Sequence, residues 1–214
     1  MIVSHRHRFI FIKTEKTAGT SIEVHLSRHC GPEDIVTAFG SGEEGHEPRN
    51  SGGLSGHMTA AEVRGLVGER VFDSYFKFCV ERNPWDRMVS MWYMVNARRP
   101  GLEVSFETFL TQWQVRRNER LYTLGDRVLV DEIVRYEDLP HALDRVLDRF
   151  GIPPFRGIRA KSQYRRERRP YQSYYSPAYA RMVGKWFRGE ARRMGYSFEP
   201  EGATGDEANT GQAA

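Results

Sequence analysis

Nine residues, Lys13-Thr14-Glu15-Lys16-Thr17-Ala18-Gly19-Thr20-Ser21, hold two lysines, four hydroxyls and a glycine. They follow the apolar run Phe9-Ile10-Phe11-Ile12 and precede Ile22, Leu26 and Cys30, spaced at four. Strand, small-residue loop and helix in that order aim backbone N–H groups and the positive end of a helix dipole at one point, a seat for a phosphate. The lysine is misplaced for a triphosphatase. A Walker A loop, G-x-x-x-x-G-K-[ST], sets lysine after its second glycine, whereas Lys16 precedes Gly19 and the loop is too short to wrap a triphosphate. These residues suit a compact turn around one phosphate, with Lys16 facing whatever that phosphate carries. An ordinary strand-to-helix turn of small residues is the plainer alternative.

A second constellation lies in Phe78–Trp92, "FCVERNPWDRMVSMW". Arg82 ends an apolar run, Asn83 and Pro84 start a helix, and Ser90 sits two turns in, away from the apolar stripe. Arginine at the carboxyl end of a parallel strand points into the ligand crevice, and its planar fork suits a terminal phosphate. Pairing with Asp86 is the alternative for Arg82. Together the two stretches predict a site for two phosphates.

The elements that must carry these residues alternate. Phe9–Ile12, Tyr75–Val80 and the run "RVLVDEIVRY" (127–136) read as buried strands. Helices are predicted from Ile22 to Cys30, from the capping box Thr59/Glu62 to Gly68, and from Asn83-Pro84 onward. Others start at Ser105, span the "EDLPHALDRVLDRFG" stripe, and run unbroken from Ser176-Pro177. Strands alternating with helices predict a parallel sheet covered on both faces. With 214 residues and no internal repeat, a single domain over 1–198 is expected, with a disordered tail over 199–214. No stretch nears the ~18 apolar residues of a membrane span, and the charged, ragged N-terminus lacks a signal-peptide core. Cys30 and Cys79 make no disulfide framework, so a soluble, reduced, cytoplasmic protein is expected. A net charge of +4 favours anionic partners without naming one.

"KTEKTAGTSIE" with "FCVERNPWDRMVSMW" resembles the sulfotransferase superfamily, on the branch of carbohydrate and heparan-type enzymes and bacterial relatives. Its signatures are a 5′-phosphosulfate loop P-K-T-A-[GS]-T-S and a 3′-phosphate motif R-[DN]-P-x-x-R-x-x-S. "IVRYEDL" and the closing Gly-Tyr-Ser-Phe fit as well, so the resemblance spans Phe9 to about Phe198. Glu15 stands where the family has proline, and Lys13 is placed to neutralise it. The resemblance implies a P-loop-NTPase-like three-layer α/β fold with a central, mostly parallel sheet flanked by helices.

It also implies 3′-phosphoadenosine 5′-phosphosulfate (PAPS) as donor, a hydroxyl-bearing carbohydrate, lipid or small metabolite as acceptor, and no metal. Lys16, Thr17, Ala18, Gly19, Thr20 and Ser21 would hold the 5′-phosphosulfate, and Arg82 and Ser90 the 3′-phosphate. Lys161 and Ser162 would fold over the adenosine end. In-line sulfuryl transfer builds charge on the leaving phosphate, which Lys16 would meet. The acceptor needs a base near neutrality, usually histidine. His57 precedes a capped helix and matches a family Gly-His whose histidine is the base. His46 is the reserve, and Glu47 and Glu15 are poorer bases. His5 and His7 are assigned to the ragged N-terminus, His25, His29 and His141 to helices. The polar loop 40–56 is either acceptor-facing or idle surface. The Arg156–Arg169 cluster with its interleaved tyrosines is a solvated basic face, a sugar contact or a polyanion site; nucleic acid is not an expected partner. Two rivals remain: a nucleotide kinase with "VLVDE" as its metal-binding strand, and a non-catalytic polyanion-binding module.

Overall fold

Every side chain of Phe9–Ile12 is buried, Phe9 and Phe11 in one apolar cluster, Ile10 and Ile12 in another. Successive strand residues face opposite ways, so an unbroken apolar run marks a sheet covered on both sides. The computed structural model describes residues 1–38, 46–156 and 169–199. Its strands are β1 (Ile2–Ser4), β2 (Phe9–Ile12), β3 (Ile35–Val36), β4 (Phe76–Glu81), β5 (Thr123–Leu124), β6 (Arg127–Val128) and β7 (Glu132–Arg135). Its helices are α1 (Gly19–Ser27), α2 (Ala60–Val67), α3 (Glu69–Ser74), α4 (Pro84–Ala97), α5 (Phe106–Gln112), α6 (Glu119–Tyr122), α7 (His141–Asp148), α8 (Pro177–Trp186) and α9 (Arg188–Met194).

The central sheet has the order β3-β1-β2-β4-β7, while β5 and β6 form a separate hairpin. β2, β4 and β7 are parallel, and β1 is antiparallel to both β2 and β3. Since β3 then points along β2, four of the five strands share one direction. Ile22 and Leu26 of α1 and Leu143, Val146 and Leu147 of α7 cover one face. Ala60 and Val63 of α2, Phe72 of α3 and Leu121 and Tyr122 of α6 cover the other. The result is the expected three-layer α/β sandwich. A third cluster joins α4, α5, α8 and α9 through Trp85, Phe109, Val183 and Phe187.

Four expected caps form: Thr59 with Glu62 at α2, Asn83 before Pro84 at α4, Ser105 at α5 and Ser176 at α8. Other expectations need correction. The N-terminus is not ragged: Met1 is fully buried, β1 pairs on both sides, and His5 and His7 lie in the β1–β2 turn. That turn is held by Asp34, which accepts from the backbone N–H groups of His5 (2.6 Å) and Arg6 (3.0 Å). The run 127–136 is two strands, because Val128 pairs back onto Thr123 while Asp131 bonds across to the Lys77 backbone. The first helix stops at Ser27, and the last long helix breaks at Phe187 into α8 and α9. Residue 200 onward lies outside the described residues.

Candidate functional site

Because β2, β4 and β7 are parallel, their carboxyl ends open on one edge. There the loop 13–18 leaves β2, Arg82 leaves β4, and Tyr136 leaves β7. The loop is tightly turned: Lys16 (φ 63°) and Ala18 (φ 60°) are both left-handed. Non-glycine residues hold that conformation only where the surroundings enforce it. The Thr14 and Thr17 hydroxyls pair at 2.8 Å, and the Thr14 hydroxyl donates to the Val80 carbonyl on β4. Ala18 is the N-cap of α1 and offers no side-chain cap, and the first turn of α1 holds no acid. Neither the N-cap side chain nor an acid of the first turn closes the start of this nine-residue helix. Gly19 permits the close packing beneath, since a Cβ there would fall 2.8 Å from Lys13 Cγ.

Lys13 does not neutralise Glu15. Its ammonium is buried against Glu23 of α1, which also meets the Met1 amine. Glu15 is instead gripped through its backbone. Asn118 Oδ1 accepts the Glu15 N–H at 2.9 Å, and Asn118 Nδ2 donates to the Glu15 carbonyl at 3.1 Å.

Arg82 is buried, and its guanidinium lies 4.1 Å from the centre of the Tyr136 ring. Nε and Nη2 donate to Asp86 Oδ2 at 2.8 and 2.6 Å, and Nη1 donates to the Lys16 carbonyl at 3.1 Å. The Asp86 pairing therefore forms, and the same arginine ties the loop to α4. Of five guanidinium N–H groups, these bonds use three, leaving one on Nη1 and one on Nη2. Ser90 is half-buried and four residues beyond Asp86, hence on the same side of α4. Arg87, within the same motif, is no part of the site's surface. It is fully buried, paired with Glu190 of α9 at 2.7 Å, and donates to the Arg116 carbonyl at 3.2 Å. The closing Gly-Tyr-Ser-Phe docks at this junction: Asn83 Nδ2 donates to the Ser197 carbonyl at 3.1 Å, and the Tyr196 hydroxyl meets Glu137 at 2.7 Å.

His57 reaches the same loop. Its Nδ1 lies 3.0 Å from the Lys13 carbonyl. A carbonyl only accepts, so Nδ1 carries the hydrogen, and the neutral ring keeps its lone pair on Nε2. The residue is exposed, but the ring edge against the loop is desolvated. That desolvation, with the Lys13 charge adding to it, outweighs the carbonyl bond and lowers the histidine's pKa. His46 is pushed down further, to about 4, first by burial and then by Lys13.

Asp131 lies at the other end of the sheet, where it precedes β7 and pairs with Lys77 Nζ at 3.0 Å. It cannot serve a metal at the loop. Lys161 and Ser162 fall outside the described residues, as does part of the 40–56 loop. Sequence reasoning missed Asn118, Glu81 and Tyr136. Tyr136 alone had a signal, since it ends the "IVRY" run that must terminate at the carboxyl edge.

A family model described as the sulfotransferase family matches residues 1–188. An uncharacterized protein of Archaeoglobus fulgidus is 34% identical over 101 residues, covering 45% of this chain and 84% of that protein. The crystal structure of a sulfotransferase from Alicyclobacillus acidocaldarius aligns over 87% of this chain and 93% of its own, with 17% identity and a TM-score of 0.41.

Proposed function

Since the chain belongs to the sulfotransferase family, we propose that it transfers the sulfuryl group of PAPS to the hydroxyl of an acceptor, a carbohydrate, lipid, phenol or small metabolite. The Arg82–Lys16 bond carries this reading: two motifs 66 residues apart meet at the uncapped end of one helix. The residues present fit the donor. A dianionic group suits the open N–H groups of α1, and the two remaining Arg82 N–H groups suit a second phosphate with Ser90 beside them. When bound, PAPS supplies the sulfuryl group and a phosphate that takes up negative charge as it leaves. Lys16 meets that charge at the bridging oxygen, while Thr17, Ala18, Gly19, Thr20 and Ser21 hold the 5′ end through backbone and hydroxyl donors. Nε2 of neutral His57 accepts the acceptor's proton, and the Lys13 carbonyl fixes the tautomer that makes this possible. His46 is a weaker base by virtue of its lower pKa.

Calorimetric titration, in EDTA for the bisphosphate and in a magnesium buffer for ATP, tests the donor half. Adenosine 3′,5′-bisphosphate should bind without magnesium, and ATP-magnesium at least about tenfold more weakly, because ATP lacks the 3′-phosphate. Binding of ATP-magnesium alone would restore the kinase, and binding of heparin alone the polyanion module. Labelled PAPS offered to a panel of sugars, lipids and phenols then identifies the acceptor.

A further inference from the structure

Asn118 lies 103 residues from Glu15 in sequence, yet its side-chain amide pairs with the Glu15 peptide in both directions. Its remaining Nδ2 hydrogen goes to Glu81 Oε1 at 3.1 Å. The amide is 1% exposed and its orientation is fixed by these partners. Turned over, it would set an NH2 against the Glu15 N–H and an oxygen against two acceptors. The grip copies what a neighbouring strand does for a backbone. It falls on the residue that precedes left-handed Lys16, just where the chain has left β2 and lost its sheet partners.

Behind Asn118 stands Glu81, the last residue of β4. Its Oε1 also accepts the Arg82 backbone N–H at 3.1 Å, and its Oε2 accepts the Tyr122 hydroxyl at 3.1 Å. One buried carboxylate is thus the common footing of the 5′ loop and of Arg82. Leu121 and Tyr122, both fully buried, fix the short α6 that begins immediately after Asn118. Desolvation, and next the nearby Glu190 charge, raise the Glu81 carboxyl to about 7. The Arg87 charge, and after it the Arg82 N–H and the Asn118 amide, favour its charged form.

We propose that Asn118 is a positioning residue: with Glu81 behind it, it sets the shape of the Lys13–Ser21 loop and so the affinity for a ligand's 5′-phosphate, without touching the ligand. The proposal rests on the donor reading above. Its test compares two probes, adenosine 3′,5′-bisphosphate, which engages the loop, and adenosine 3′-monophosphate, which does not. The variants are Asn118→Ala and the isosteric Asn118→Asp, which keeps the acceptor for the Glu15 N–H and loses both donations. Losing these bonds should cost about tenfold or more in bisphosphate affinity while the 3′-monophosphate changes by less than about threefold. The Glu15 amide should also exchange with deuterium at least about tenfold faster in Asn118→Ala, a change confined to the loop. Bisphosphate affinity within about twofold of wild type, or equal weakening of both probes, would overturn the proposal. If wild type binds neither nucleotide, the donor reading fails, and Glu15 exchange still decides the brace. Should neither variant fold, unprotected exchange of the Glu15 amide in wild type would sink it.

Discussion

Helix α1 begins at the loop 13–18, and α2 begins three residues after His57, which contacts the Lys13 carbonyl of that loop; the two starts treat their backbones in opposite ways. At α2 the Thr59 hydroxyl accepts the Glu62 N–H at 3.1 Å, and Glu62 returns to the Thr59 N–H at 2.7 Å. At α1 the N-cap is a left-handed alanine with no side-chain cap and no acid in the first turn. Among described helices of eight residues or more, α1 alone has neither: α2, α4 and α8 are capped, and α7 carries Asp144. A closed end contributes stability and has no use for an anion. An open end leaves donors that an anion completes. On the proposed reading, stability and ligand affinity are thus kept on two different helix starts.

The largest break comes from the bridge between them. His57→Ala should lower turnover about 10²–10⁴-fold, the usual loss of a general base, with bisphosphate affinity kept. A base works neutral, and the His57 pKa is lowered. The wild-type rate should therefore rise with pH through a midpoint below the ordinary ~6.5, and the variant should lack that limb. A limb kept by His57→Ala and lost by His46→Ala would transfer the role. Next, Lys16→Ala should cost about 10²–10³-fold in turnover by removing the cation from the leaving phosphate; activity above about a tenth of wild type in a steady-state assay would refute that.

Smaller effects separate the two helix ends more sharply. Thr59→Ala should destabilise the fold by about 1 kcal/mol and lower Tm by about 2–4 °C, with bisphosphate affinity unmoved; a change in affinity would dissolve the contrast. Ala18→Gly should do the reverse in miniature. Relief at φ 60° offsets glycine's greater freedom when unfolded, leaving a gain of a few tenths of a kcal/mol. A melting scan reads it, and a fall in Tm would show that the loop does not hold Ala18 under strain.

What the sequence disclosed was local. Thr59-x-x-Glu62, Asn83-Pro84, Ser105 and Ser176-Pro177 each carry their cap within three residues, and each cap formed. β2 and β4 were legible because both faces are buried, which makes apolar runs. β1 and β3 were not, because three and two residues are too short to show a period. In the candidate site the loop, Arg82 and His57 were legible by type and order. Their mutual geometry was not. Lys13 was expected to meet the nearest acid, Glu15, but the helix turns Glu23 inward beneath it. Asn118 had no local signal, since its grip on Glu15 exists only once α6 has docked.

The Arg87–Glu190 pair bears on where a functional unit ends. The family match stops at residue 188, two residues before Glu190. A chain cut at that border would retain the loop 13–21 and Arg82 but strand a fully buried guanidinium without its counter-ion. Removing one partner of such a pair costs about 3–5 kcal/mol, a large part of the ~5–15 kcal/mol that holds a domain folded. The border of the family match and the border of a self-sufficient fold therefore differ in this molecule. Helix α9, which begins at the last matched residue, carries the carboxylate that the buried Arg87 needs.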